Sequence, residues 1–394
     1  MRRIYLDHAA TTPLDERVFE AMRPYLTDHF GNASSVHGAG RKARFAVEES
    51  RETVAGLLGA EPGEILFTSG GTEANNTVLR GVDGGILTCA AEHESVLRPV
   101  ERLREQGRLV RVMKPGPGGS VSAADVEGQL DSDVGLVSIM HANNEVGTIS
   151  PIEDIAEVCR SNGTAFHCDA VQTAGYGSIR VDRIDVDFLT VSAHKFYGPK
   201  GVGVLFVRGG AALRPLLEGG AQERGRRGGT ENVPAIVGLA RAFELAIEEA
   251  EARRRHAESV RDHLAACLRD VVGDRVEVVT PIDAAPVAPH IVHVVAPPVD
   301  GKEVDGEMLL LNMDMEGMHV SAGSACTSGA VEPSHVLTAM GMDASRASAA
   351  IRFSVGRATS KADVEEAVNV LDRVLHRMLN GMPHGRMRSE AVSR

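Results

Sequence analysis

A lysine held in the turn between two apolar strands can act as a nucleophile, and Lys195 stands in such a turn. The stretch Val191-Ser-Ala-His-Lys-Phe-Tyr-Gly-Pro-Lys200 follows an apolar run, Val186 to Val191, broken only by Asp187 and Thr190. That run reads as a strand packed on both faces. Gly198, Pro199 and Gly201 force a turn, and Val202 to Val207 opens a second apolar strand. Desolvation there lowers a lysine's pKa and favours the neutral amine, and neutral amines form Schiff bases with carbonyl cofactors. The chain has only six lysines against 36 arginines, so one in this setting carries weight. Taken alone, the stretch reads more readily as a hairpin bearing a surface lysine.

Other stretches carry chemistry of different kinds. Val320-Ser-Ala-Gly-Ser-Ala-Cys-Thr-Ser-Gly-Ala330 sets Cys326 among small residues, whereas a buried structural cysteine would have apolar neighbours. Ser69-Gly-Gly-Thr-Glu-Ala-Asn-Asn76 follows a short strand and opens a helix. Its glycines admit a ligand to the backbone and its first N–H groups suit an anion. The Gly-Lys-Ser/Thr ending of a Walker loop is missing, and an ordinary turn and cap would look similar. Glu92-His93, His141 to Glu145 and Asp169 to Gln172 each follow an expected strand. Each has a plainer explanation: a cap neighbour at His93, turn formers at Asn143-Asn144, a helix cap at Asp169. His167-Cys168-Asp169 lacks a second ligand pair, so no metal site is expected. Leu217 to Asn232 is Gly-rich with three arginines and Thr230; it suits a phosphate, a subunit contact or a solvated basic loop.

The elements that must position these residues alternate. Residues 4–13 read as an extended arm, and helices are expected over 14–30 and 42–58, with Phe45, Val54, Leu57 and Leu58 near one face. A small-residue loop, 31–40, separates them. Strands are expected at 64–68, 85–89, 109–113, 134–140 and 164–168, with helices at 95–106, 123–130 and 152–161. Such alternation predicts an α/β fold, a mainly parallel sheet with helices on both faces. Ligands bind beyond the carboxyl ends of such strands, where the polar clusters fall. A helix begins near Val233, and the charged run 248–256 reads as an exposed passage to a second lobe. That lobe has strands at 276–279, 291–295 and 351–357 and helices at 302–313 and 362–379.

The division expected is a large domain, 14–256, and a smaller α+β domain made of 1–13 and 257–382, with 383–394 a disordered tail. A length of 394 residues exceeds one typical core. The net charge of −12 argues against direct nucleic-acid binding. No apolar run approaches a membrane span, and the first residues lack the core of a signal peptide, so a cytoplasmic protein is expected. Cys89, Cys159, Cys168, Cys267 and Cys326 are odd in number and form no CxxC pair, which suits a reducing compartment.

Together these residues resemble the cysteine desulfurases of the NifS/IscS type, among the class V aminotransferases and fold type I pyridoxal phosphate (PLP) enzymes. The resemblance runs from Tyr5-Leu-Asp-His-Ala-Ala-Thr-Thr-Pro13 to about Arg357. Its most specific matches are Ser192 to Gly201 and Gly323-Ser-Ala-Cys-Thr-Ser328, supported by His141 to Gly147 and Arg352 to Arg357. It implies that Lys195 carries PLP, that Asp169 pairs with the pyridine nitrogen, that Gln172 bonds the ring hydroxyl and that His93 stacks on the ring. It implies a phosphate site of Gly71, Thr72, Ser192 and His194, with Thr230 reaching the phosphate of the neighbouring subunit in a homodimer. Asn144 and Arg352 would hold the carboxylate of L-cysteine, and Cys326 would be the nucleophile that receives sulfur as a persulfide while L-alanine leaves. His93 would shuttle protons. A sulfur-acceptor protein of iron–sulfur cluster, tRNA thiolation or DNA phosphorothioation pathways is implied as partner. His8 stands where an asparagine is common, and Ala221 and Gly228 depart in the Gly-rich loop. The competing readings are an aminotransferase or selenocysteine lyase on the same fold, and an idle scaffold that binds sulfur-trafficking proteins. An aminotransferase needs no thiol such as Cys326, and a scaffold needs none of Lys195, Asp169, His93 and Cys326.

Overall fold

The structure, a computed structural model, describes residues 2–177, 179–299, 301–323 and 332–380. Cys326 and the expected tail from 383 lie outside the described residues.

The central sheet has seven strands in the spatial order Ile65–Thr68, Gly203–Val207, Phe188–Ser192, Ala165–Asp169, Val134–Met140, Gly85–Cys89, Val110–Met113. All neighbouring pairs are parallel except those made by Gly203–Val207, which runs against both its partners. The α/β architecture expected from the alternation is therefore present, with one reversed strand. Residues along each strand alternate between two apolar layers. Leu66, Ile86, Leu136, Phe188 and Leu205 meet the helices Gly71–Gly81 and Glu94–Glu105. Phe67, Leu87, Val137, Phe166, Leu189 and Phe206 meet the helices Gly38–Leu58, Ile152–Asn162 and Val233–Glu248. Strands buried on both faces need apolar side chains at nearly every position, which is what their continuous apolar runs supply.

A second apolar cluster lies around an antiparallel sheet, Ala350–Ser354, Ile291–Val295, Glu277–Val278, covered by the helices Ala250–Cys267 and Lys361–Asn380. Ile4 and Leu6 of the arm belong to this cluster, and Ile4–Tyr5 pairs with Met318–His319. A few residues later the arm bonds the main body: Thr12 N donates to the His194 carbonyl and Asp15 N to the Tyr197 carbonyl. The arm thus runs from one cluster to the other.

Several local expectations need correction. The second helix starts at Gly38, not 42, because the His37 ring caps it by accepting from Gly40 N at 3.2 Å. Phe45 is not on its buried face: it is 68% exposed, while Ala43, Ala46, Val47, Val54 and Leu58 are buried. The helix expected from 302 begins at Gly306, where Asp305 caps the Met308 N–H at 3.0 Å. The short helix at Ala123 ends at Glu127. The charged run 248–256 is not wholly exposed. Arg253 is buried, bonded twice to Glu249 and set over the Tyr197 ring. The Gly-rich loop is anchored on its own subunit by charge rather than by apolar packing. Glu223 is buried and accepts from Arg51 at 2.7 and 2.9 Å and from Phe67 N at 3.0 Å, and Arg227 pairs with Glu73 at 2.9 Å. A buried, doubly bonded pair of this kind is costly to break, since removing one partner strands a charge.

Candidate active site

The strand Phe188–Ser192 ends in a single tight turn, Ala193–Lys195, so Lys195 emerges at the carboxyl edge of the sheet. Its Nζ donates to the carbonyls of Ala9 and Ala10 at 2.5 and 2.9 Å. Burial, and then the positive Arg352, push its pKa down to about 8, with Asp169 and Asp7 opposing. Near neutral pH about a tenth of it is then uncharged, against roughly one in three thousand for an ordinary lysine.

Lys195 lines a cavity of about 420 Å³ that brings together residues from strand ends, helix starts, the strand Ala350–Ser354 and the arm. Gly71, Thr72, His93, Asn144, Asp169, Gln172, Ser192, His194 and Arg352 all line it. Asp169 closes the strand Ala165–Asp169 and is buried. Its carboxylate accepts from Asn75 Nδ2 at 2.6 Å and from Val171 N at 3.0 Å. Asn75 also donates to Ser95 Oγ at 2.9 Å, and that hydroxyl lies 2.7 Å from His93 Nδ1. The Ser95 N–H donates to the same ring nitrogen at 3.0 Å. His93 Nδ1 is therefore an acceptor, so the neutral ring carries its proton on Nε2. Burial pushes the His93 pKa down, which keeps the ring neutral. Gln172 Nε2 donates to the Ala9 carbonyl at 2.9 Å.

At the start of the Gly71 helix, where the sequence suggests a phosphate cradle, lies a second recess of about 340 Å³ that shares Gly71, Thr72, Ser192 and His194 with the first. Gly70, at φ +148°, and Gly203 lie back to back, and a Cβ on Gly203 would come within 2.8 Å of the Gly70 Cα. No other residue fits that approach. His194 bonds Thr11 Oγ1 at 3.1 Å, and burial pushes its ring down to about 4.

Arg352 sits on the strand Ala350–Ser354 with its side chain 3% exposed. It donates to the Asn144 carbonyl at 2.6 Å and to Asp7 at 2.8 Å. Glu145 is fully buried, accepts from the Ser334 hydroxyl at 2.5 Å, and has its carboxyl pushed up by burial.

Among the described residues, one expected site residue is not brought into this cavity. Thr230 is exposed on the Gly-rich loop, away from the cavity of its own chain. Cys326 lies outside the described residues. His167, weighed as a metal ligand, has both ring nitrogens within hydrogen-bond distance of hydroxyls, Ser138 at 2.8 Å and Thr190 at 3.0 Å. Ser95, Glu145 and His335, which line the cavity, and Asn75, which bonds Asp169, were not singled out from the sequence. Asn75 stands three residues after Thr72 and so shares its helix face, the one local signal that could have found it. The four described cysteines are free, and burial pushes their thiols up: Cys89 and Cys159 to about 12, Cys168 and Cys267 upward as well.

Comparison with known proteins places these features in context. The family described as Aminotransferase class-V matches residues 4–367. The cysteine desulfurase IscS of Dictyoglomus turgidum is 42% identical over 390 residues, covering 97% of this chain and 97% of that protein. Among solved structures, a NifS-like protein has a TM-score of 0.87 at 37% identity, covering 95% of this chain and 100% of that one. The structure described as SspA in complex with cysteine has a TM-score of 0.77 at 34% identity, covering 90% and 99%.

Proposed function

The chain belongs to the aminotransferase class-V family, and from that premise we infer that it is a PLP-dependent cysteine desulfurase, a sulfurtransferase acting on L-cysteine. The observation that carries this reading is the cavity itself. It sets a buried, partly neutral amine, a buried carboxylate and an anion cradle around one space.

The residues fit PLP. Among the described residues Lys195 bonds only carbonyl oxygens, so none of them holds its proton as an acid. Asp169 keeps its carboxylate toward the cavity because Asn75 and the Val171 N–H fix it from behind. Gly71, Thr72, Ser192 and His194 surround the recess at the helix start, where free N–H groups and the helix dipole favour a phosphate. Lys195 would hold the aldehyde carbon, Asp169 the pyridine nitrogen, Gln172 the ring hydroxyl, and His93 the ring face. When bound, the cofactor supplies an electron sink next to the substrate's Cα.

The protein's own groups then divide the work. Arg352 and Asn144 receive the substrate carboxylate, the guanidinium as a two-pronged donor. Lys195, with its low pKa, takes and returns protons near the substrate's Cα. His93 presents an Nε2–H to the cavity and is held in that tautomer through Ser95. Cys326 attacks the substrate's sulfur as a thiolate: an S–S bond forms, the C–S bond breaks, and the β carbon takes a proton to leave L-alanine. Burial pushes the thiols of Cys89, Cys159 and Cys168 up, and Cys267 is not among the residues lining the cavity, so none of them is the expected nucleophile. The persulfide then passes to an acceptor protein. With L-cysteine, the purified protein should be yellow and release L-alanine; release of keto acid instead would favour an aminotransferase.

The same reading makes the enzyme a homodimer with shared sites. Thr230 is exposed, yet its loop is held rigidly by the Arg51–Glu223 and Arg227–Glu73 pairs. A fixed loop carrying an unused hydroxyl suits a neighbour's phosphate. Light scattering should give twice the chain mass, and an active monomer would remove this assignment. No helix among the described residues is long and apolar enough to cross a membrane. Free buried thiols suit a cytoplasmic setting, which cell fractionation checks.

A further inference from the structure

Arg352 is a buried cation whose orientation is set by two fixed partners, one on each terminal nitrogen. A guanidinium has five N–H donors in one rigid plane, so two fixed partners fix that plane. Here the partners are the Asn144 carbonyl on Nη1, at 2.6 Å, and Asp7 Oδ1 on Nη2, at 2.8 Å. Nε is buried with no partner among the described residues, and Arg352 lines the cavity, so its remaining donors are left for a ligand there.

Asp7 is itself held in place. Its backbone bridges Ser354, two residues along the strand from Arg352 and on the same face. Ser354 N donates to the Leu6 carbonyl at 2.7 Å, and the Tyr5 hydroxyl lies 3.0 Å from both the Asp7 and the Thr11 carbonyls, sharing its one hydrogen between them. The carboxylate is therefore delivered to Arg352 by a pinned backbone and not by a free side chain. The next residues of the same arm, Ala9 and Ala10, hold Lys195 and Gln172 by their carbonyls.

We propose that Asp7 is a positioning residue for the substrate: its carboxylate holds the Arg352 guanidinium in the plane in which it receives the carboxylate of L-cysteine. The inference rests on the assignment of Arg352 as carboxylate anchor. A second consequence follows from charge. Arg352 depresses the Lys195 pKa and Asp7 offsets it, so the arm carboxylate tempers the field of the anchor at the amine.

Kinetics of Asp7→Ala and Asp7→Asn test this. Truncation to alanine frees the guanidinium to turn, so KM for L-cysteine should rise about tenfold with kcat within about threefold. Asparagine keeps an acceptor oxygen in place and should restore KM to within about threefold of the parent. In cofactor-free protein, the pH midpoint for acetylation of Lys195, read on its peptide by mass spectrometry, should be lower in Asp7→Asn than in the parent, because the opposing charge is gone. That measurement stands even if Asp7→Ala fails to fold. An unchanged KM in Asp7→Ala, an asparagine variant as impaired as the alanine one, or an unmoved Lys195 midpoint each overturns the inference. Arg352→Gln separates the two claims. If it leaves KM unchanged, the anchor assignment itself fails; if it raises KM while Asp7→Ala does not, only the role of Asp7 fails.

Discussion

Replacing Lys195 by alanine is expected to abolish the yellow colour and the turnover together, with activity lower by a factor on the order of 10⁴ or more. The amine is buried and its pKa is pushed down to about 8, so a fraction is nucleophilic at neutral pH without an assisting base. No other lysine lines this cavity. Arginine should not rescue the loss, since a guanidinium stays protonated at all working pH values. In the parent protein, borohydride should fix the cofactor to the peptide that carries Lys195. A Lys195→Ala protein with full turnover would falsify the assignment. Loss of colour with full retention of the fold, by thermal unfolding, is the outcome that supports it.

Cys326→Ala should separate cofactor chemistry from sulfur chemistry. The variant keeps Lys195, Asp169 and the cradle, so it should bind PLP and change its visible spectrum when L-cysteine is added. It should release almost no L-alanine, a drop on the order of 10³ or more, because nothing else offers a thiolate to the substrate's sulfur. Cys89, Cys159 and Cys168 are buried among apolar side chains with thiols pushed far up. Cys267 lies on the helix Ala250–Cys267, away from the cavity-lining residues. Substituting these four should leave the sulfur step intact. Normal alanine release from Cys326→Ala would contradict the role given to that thiol.

What could be read in the sequence follows the range of the interactions. The sheet was legible because a strand buried on both faces must be apolar along its length, and the turn at Lys195 because glycine and proline punctuate it locally. That His93, Asp169, Gln172 and Lys195 would meet also followed, since each comes just after a strand and parallel strands end on the same side. The reversal of Gly203–Val207 was legible only in part: the turn at Gly198 to Gly201 allowed a hairpin with Phe188–Ser192, but the second antiparallel partner, Ile65–Thr68, is distant in sequence and left no local signal. Contacts between distant residues were equally silent. Glu223 reads as one charge among several in a Gly-rich loop, yet it is buried by Arg51, 172 positions away. Asp7 reads as part of an arm, yet it meets Arg352, 345 positions away. Phe45 misled for the opposite reason: helical period marks a face, but the buried stripe of Gly38–Leu58 is built from Ala43, Ala46, Val47 and Val54, and the bulky ring lies off it.

The most direct test of the account is to locate the sulfur. The holoenzyme is treated with L-cysteine, trapped by alkylation, digested and examined by mass spectrometry, with L-alanine measured in the same sample. The account predicts one extra sulfur on the peptide carrying Cys326, in step with one L-alanine released per persulfide formed. Extra sulfur on the peptides of Cys89 or Cys168, with none on that of Cys326, would contradict it.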